Sequence, residues 1–153
     1  MSSKSTDELE KILNNTHIND LGDYFEENED SFLSEDRPFS DYMHDMIKAK
    51  KLKQQDIFLD ADIPERYGYK LISEEKHTKQ RDVILRLCYA AKLNLSETQK
   101  ALKIYGMPQL YAKIPRDACI MVAFNERPGS IQDVNQFMID NGMPELRESG
   151  TLE

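Results

Sequence analysis

Residues 81–89 read RDVILRLCY and residues 116–124 read RDACIMVAF; residues 97–108 read ETQKALKIYGMP and residues 133–144 read DVNQFMIDNGMP. The first pair is offset by 35 positions and the second by 36, so one residue is inserted between the halves, near Pro128-Gly129. Each unit reads as a helical hairpin: Arg-Asp, an apolar helix, a turn, an amphipathic helix, then Gly-Met-Pro. Gly can adopt the left-handed conformation that ends a helix, Met can pack back on the last turn, and Pro prevents further helix. The repeated Gly-Met-Pro is therefore read as a stop signal, and the Arg-Asp pair as charge placed at a helix start. Two units are too few for a solenoid, so they are expected to pack on the preceding half of the chain as one core.

Upstream of the repeat the apolar residues keep a helical period, and no stretch alternates as a strand would. Ser40 is expected to cap a helix carrying Tyr42, Met43, Met46 and Ile47 that runs into the basic stretch 48–53. A short helix over 54–61 follows, with Ile57 and Phe58 apolar. Asp62-Ile63-Pro64 is a turn, Pro64 suits the first position of a helix over about 65–73, and 74–79 is polar. Further upstream, Ser5-Thr-Asp-Glu8 has the form of a capping box before Leu9, Ile12 and Leu13, and Ile18, Leu21, Tyr24 and Phe25 mark a second short helix. Arg37-Pro38 is expected to close this segment.

Charge divides the chain in the same place. Residues 1–40 hold eleven Asp/Glu against Lys4, Lys11 and Arg37, a net of −8, while residues 41–153 hold 17 of each sign and are neutral. The expected organisation is an acidic helical arm (1–38), a helical bundle (39–110), a C-terminal helical hairpin packed on it (111–147) and a tail (148–153). At 153 residues the chain is long enough to bury a core without disulfides or a structural metal. Cys88 and Cys119 sit in apolar runs as small core residues would. No run approaches the roughly 20 apolar residues of a membrane span, and the N-terminus lacks the pattern of a signal peptide. A cytoplasmic protein is expected.

Catalytic patterns are missing. There is no Gly-rich phosphate loop, no Gly-x-Ser-x-Gly elbow and no His-Glu-x-x-His pair, and His17, His44 and His77 are dispersed without metal-ligand spacing. Neither an enzyme nor a cofactor is expected.

Residues 52–73, LKQQDIFLDADIPERYGYKLIS, resemble the Cro/repressor-type helix-turn-helix family through Leu52, Ile57, Ile63, Leu71 and Ile72. Taken with ETQKAL at 97–102 and VNQFM at 134–138, the chain resembles bacterial proteins that join a repressor-type domain to a C-terminal helical extension. The resemblance implies an all-α fold: a lambda-repressor-like bundle of about five helices from 39 to about 105, extended by the C-terminal hairpin and preceded by the acidic arm. It makes 64–73 the recognition helix, with Gln54 or Gln55 opening the first helix of the motif. The outward positions it implies are Pro64, Glu65, Arg66 and Tyr69. Arg66 would meet a guanine edge and Tyr69 a phosphate or thymine methyl; Lys70, Lys76 and Lys79 would bind phosphates.

The departures from the family pattern are Asp62 where Gly is usual in the turn, Phe58 where Ala is usual, and Glu74-Glu75-Lys76-His77-Thr78 where Gly, basic residues and Pro are usual. Gly68 falls mid-helix, at a cost of about 1 kcal/mol relative to Ala. Residues 41–86 carry ten Lys/Arg against nine Asp/Glu, a small surplus for a phosphate-binding face. Two functions therefore stand as expectations. One is a DNA-binding transcriptional regulator, dimeric if it reads a two-fold operator, with Lys48, Lys50, Lys51 and Lys53 as a phosphate stripe. The other is a helical protein-interaction module (adaptor, antitoxin or inhibitor) that keeps the fold without binding DNA and uses the acidic arm or the C-terminal hairpin to hold a partner.

Overall fold

The computed structural model describes residues 4–27 and 37–148, and the chain divides into two compact units, Met1–Glu35 and Asp36–Glu153. The expected arm boundary, apart from Arg37 and Pro38, and nearly all of the 148–153 tail lie outside the described residues. Among those described, every regular element is a helix, and no helix is long and apolar enough to cross a membrane.

The first unit holds α1 (Thr6–Asn14), a single 3-10 turn (Ile18–Asp20) and α2 (Leu21–Glu27). Ser5 caps α1, its Oγ accepting from the Glu8 amide at 3.2 Å. Of the apolar stripe that marked these helices, only Tyr24 is buried; Leu13, Ile18, Leu21 and Phe25 keep much of their surface in solvent.

The second unit runs through α3 (Pro38–Ala49), α4 (Gln54–Ala61), α5 (Glu65–Ile72), α6 (Arg81–Ala90), α7 (Leu95–Tyr105), α8 (Pro115–Glu126) and α9 (Ile131–Asp140). Its start corrects the reading of Pro38. Pro38 opens α3 at a position where its missing N–H costs nothing, so the helix begins before Ser40. The Ser40 amide instead donates to Glu74 Oε2 at 3.0 Å, a cap supplied from the far side of α5. The other end of α3 also differs from expectation. It stops at Ala49, because Lys51 turns left-handed (φ 57°) and the Leu52 amide closes back on the Ile47 carbonyl at 3.0 Å.

The same closure ends the second helix of each repeat. Gly106 (φ 86°) and Gly142 (φ 74°) are left-handed, and the Met107 and Met143 amides each return 2.9 Å to the carbonyls of Leu102 and Met138. At their N-termini, α7 and α9 carry capping boxes, Asn94 with Glu97 and Ser130 with Asp133. In both repeats, Gly-Met-Pro works as a stop signal.

Helix α6 lies at the centre of the core. Every residue from Asp82 to Ala90 is buried, with α4, α7 and α9 packed around it. The two hairpins are related by a pseudo-two-fold arrangement, since α6 packs on α7 and α9 while α8 packs on α9 and α7. Their Arg-Asp pairs cross. Both Arg81 guanidinium nitrogens contact the Asp117 carboxylate, with Nη1 at 3.1 Å from Oδ2. Arg116 reciprocates on Asp82, Nη1 to Oδ1 at 3.0 Å and Nη2 to Oδ2 at 2.9 Å.

The stretches that follow Gly-Met-Pro are held by the same carboxylates. Asp117 accepts the Tyr111 amide and Asp82 the Arg147 amide, each at 3.0 Å. Gln99 accepts the Leu110 amide at 2.7 Å, and its counterpart Asn135 accepts the Leu146 amide at 2.9 Å. At the opposite ends of α6 and α8, the equivalent rings of Tyr89 and Phe124 meet edge to face, 5.4 Å between centroids. The two helices thus run parallel.

Removing one partner of a buried ion pair typically costs about 3–5 kcal/mol, more than the pair itself contributes. The Asp117 side chain is only 2% exposed, whereas Arg81 at 22% can still reach water. Asp117→Ala is therefore expected to lower the urea unfolding free energy by about 3 kcal/mol, toward the lower end of that range. The double variant with Arg81→Met should lose less than the sum of the two single losses. A loss below about 1 kcal/mol would mean that the crossed pair acts only as a surface ion pair.

Candidate nucleic-acid interface

The turn between α4 and α5 depends on a residue that tolerates positive φ. Asp62 sits at φ 56° and ψ 50°, in the left-handed region that Asp visits more readily than most residues. The Ile63 amide closes on the Phe58 carbonyl at 3.0 Å, and Pro64 stands at ψ 131° as the residue just before α5 rather than as its first helical position. Ile57, Phe58, Ala61, Ile63, Leu71 and Ile72 are all buried, so the two helices share one core.

Phe58 and Gly68 compensate each other. A Cβ built on Gly68 would lie 2.4 Å from Cδ1 of Phe58 and 2.6 Å from its Cγ. The Phe58 ring occupies the space that a side chain at position 68 would need, and Gly68 lets α5 lie against it. The ring also meets Tyr69 edge to face at 4.9 Å, which positions a tyrosine that remains 43% exposed.

The candidate contact residues fall into three groups. Gln54 and Gln55 occupy the first turn of α4; Gln55 is exposed, while Gln54 is half-buried with its amide 3.3 Å from His44 Nε2. Arg66, Tyr69 and Lys70 lie on α5 at spacings of three and four, which puts them on one face. Arg66 is exposed and Lys70 half-buried; exposed Glu65 begins the same helix. Lys76 and Lys79 are exposed in the connection to α6. Lys79 lines a pocket of about 260 Å³ with Gln80, Arg81, Asp82 and Arg147. Within that pocket the charges of Arg81 and Asp82 are already taken by Asp117 and Arg116.

Electrostatically, Glu74 differs from Glu65 and Glu75. Its carboxylate caps α3 through the Ser40 amide, so its charge is directed at a helix N-terminus. Glu65 and Glu75 stay exposed. The expected lysine stripe loses a member, because Lys50 pairs with Glu97 at 3.0 Å.

One residue that positions this region carried no signal in the periodicity. Arg86 is 2% exposed and stands where the second repeat has Met121. Its Nη1 donates to the Ala61 carbonyl at 3.2 Å, Nη2 to Leu146 at 2.9 Å and Nε to Arg147 at 2.7 Å. Ala61 is the last residue of α4, so the guanidinium meets the negative end of that helix while tying it to the C-terminal stretch. Burial lowers the Arg86 pKa from its ordinary value, and Asp62, Glu148, Asp82 and Glu145 pull the other way. An arginine in a run of core residues was the available clue, because an isolated buried cation needs acceptors. Among the described residues, no cluster of three or more His, Cys, Asp or Glu is placed to hold a metal ion.

Gly68→Ala tests the fit of α5 on α4. In an open helix this change would stabilise by about 1 kcal/mol. Here it should destabilise by about 1–3 kcal/mol, the usual cost of overpacking, when followed by thermal or urea unfolding. Pairing it with Phe58→Leu should give a loss smaller than the two single losses combined. A stabilised Gly68→Ala protein would show that the two helices do not press on each other at this point. Comparison with protein-family models, with curated proteins and with solved structures finds no match to this chain.

Proposed function

We propose that the chain is a DNA-binding transcriptional regulator in which α3 to α7 form a repressor-type helix-turn-helix bundle and α5 is the recognition helix. The observation that carries this reading is the α4–turn–α5 unit. Its left-handed Asp62 turn and the Gly68–Phe58 packing turn one face of α5, bearing Arg66 and Tyr69, toward solvent. Arg66 makes no hydrogen bond or ion pair among the described residues, so its five donors remain available for a base edge. Lys76 and Lys79 supply phosphate contacts beside the recognition helix, and Arg147 joins Lys79 across their shared pocket. In this reading α8 and α9 extend the bundle, and the Arg86 contacts make the stretch that follows α9 part of what holds α4 in place.

A second reading is supported by the acids. Glu65 is exposed on the first turn of α5, where a DNA phosphate would be repelled, and residues 1–40 carry a net charge of −8. On that reading the chain is a helical interaction module whose acidic arm holds the basic surface of a partner protein.

Mobility shift with fragments of the chain's own promoter region separates the two. A regulator should bind at low ionic strength, with affinity falling steeply as salt rises. Lys76→Ala and Lys79→Ala should each reduce the salt slope by about one, and Arg66→Ala should cost about 1–3 kcal/mol at one base position. Deleting residues 1–37 should leave binding unchanged or stronger. Absence of a shift at low salt, or binding that ignores salt, would set the DNA reading aside in favour of the module.

A further inference from the structure

Residues 118–124 of α8 are seven consecutive apolar residues, enough to cover a helix on all sides. Ile120, Ala123 and Phe124 are buried in the core. Ala118, Cys119 and Val122 fall on the other side of the helix at 100° per residue, and they keep surface in solvent, Val122 to 45%. Their repeat counterparts in α6 are Val83, Ile84 and Leu87. All three are wholly buried, in the helix against which α4 packs. The turn leading into α8 adds Tyr111 and Ile114, 53% and 47% exposed. The strip is therefore apolar like its covered counterpart, yet among the described residues of the second unit nothing covers it as α4 covers α6.

Charge at the two ends indicates what would cover it. Lys113 precedes α8 and Glu126 ends it; both are exposed, and neither makes an ion pair or hydrogen bond among the described residues. A second α8 laid antiparallel brings the lysine end of each copy to the glutamate end of the other. The same orientation sets each helix N-terminus beside its partner's C-terminus, which the helix dipoles favour. Ala118 and Cys119 are small enough to let two helices approach closely at the centre of such a pair.

We propose that the outward face of α8 is a self-association surface, on which α8 of a second copy of this chain packs antiparallel across a two-fold axis beside Cys119. The pairing uses none of the residues assigned to DNA. It would nonetheless supply the two-fold symmetry that a palindromic operator requires. Its test involves no nucleic acid, so it can fail or succeed independently of the regulator reading.

Sedimentation equilibrium of the full chain should give a concentration-dependent approach to twice the 17.8 kDa chain mass. Val122→Glu should give a monomer with unchanged helical circular dichroism. Glu126→Lys should weaken association several-fold, and adding Lys113→Glu to it should restore the wild-type value, which only an antiparallel pairing explains. A short bis-maleimide should join two copies through Cys119, since Cys88 is fully buried, and Cys119→Ser should abolish the product. A wild-type chain that stays monomeric at all concentrations overturns the proposal. So does a dimer that Val122→Glu and Glu126→Lys both leave intact, or a bis-maleimide product that persists in Cys119→Ser.

Discussion

The reciprocal pairing of Arg81 with Asp117 and of Arg116 with Asp82 is the constraint on which the second unit depends. Two parallel helices that begin side by side set like partial charges together at their N-termini. Asp82 and Asp117, each in a first turn, offset that charge locally. Each carboxylate also receives the arginine of the other repeat and a backbone amide from the stretch beyond a Gly-Met-Pro stop. One dipeptide, used twice, therefore neutralises helix ends, joins two hairpins and fixes the chain after α7 and α9.

From this junction the order reaches the α4–α5 turn through Arg86. The stretch that Asp82 secures at Arg147 is the one whose carbonyls, with that of Ala61, accept the buried guanidinium. The C-terminal hairpin is thereby a support for the end of α4 as well as an addition to the bundle. The departures from pseudo-symmetry carry equal information. Arg86 replaces the apolar residue of the other repeat where α4 must be tied down, and α8 keeps an apolar face at positions that are fully buried in α6.

Much of the helical architecture was legible in the sequence because apolar period and stop residues act locally. The bounds of α4, the left-handed turn after it and the two Gly-Met-Pro stops follow from short-range sterics. Pro38 is ambiguous in the sequence, because a proline that interrupts one segment can equally open the next helix, as it does here. The long-range polar contacts were not legible. In the sequence each Arg-Asp pair marks charge at its own helix, and only the parallel course of α6 and α8 lets the two dipeptides exchange partners. In the candidate interface, Phe58, Gly68 and Glu74 each stood out singly. That Gly68 makes room for Phe58, and that Glu74 caps α3, depends on distances between elements that no local pattern encodes.

Amide hydrogen exchange at Tyr111 and Arg147 tests the crossed junction most directly. Both residues lie outside helices and are exposed, so their amides would exchange rapidly if the aspartates did not hold them. With the junction formed, both should be protected to nearly the global unfolding free energy, and Asp82→Ala should release Arg147 while leaving the centre of α6 protected. Rapid exchange at both amides in the unaltered protein would contradict the junction as the element that holds the hairpins together.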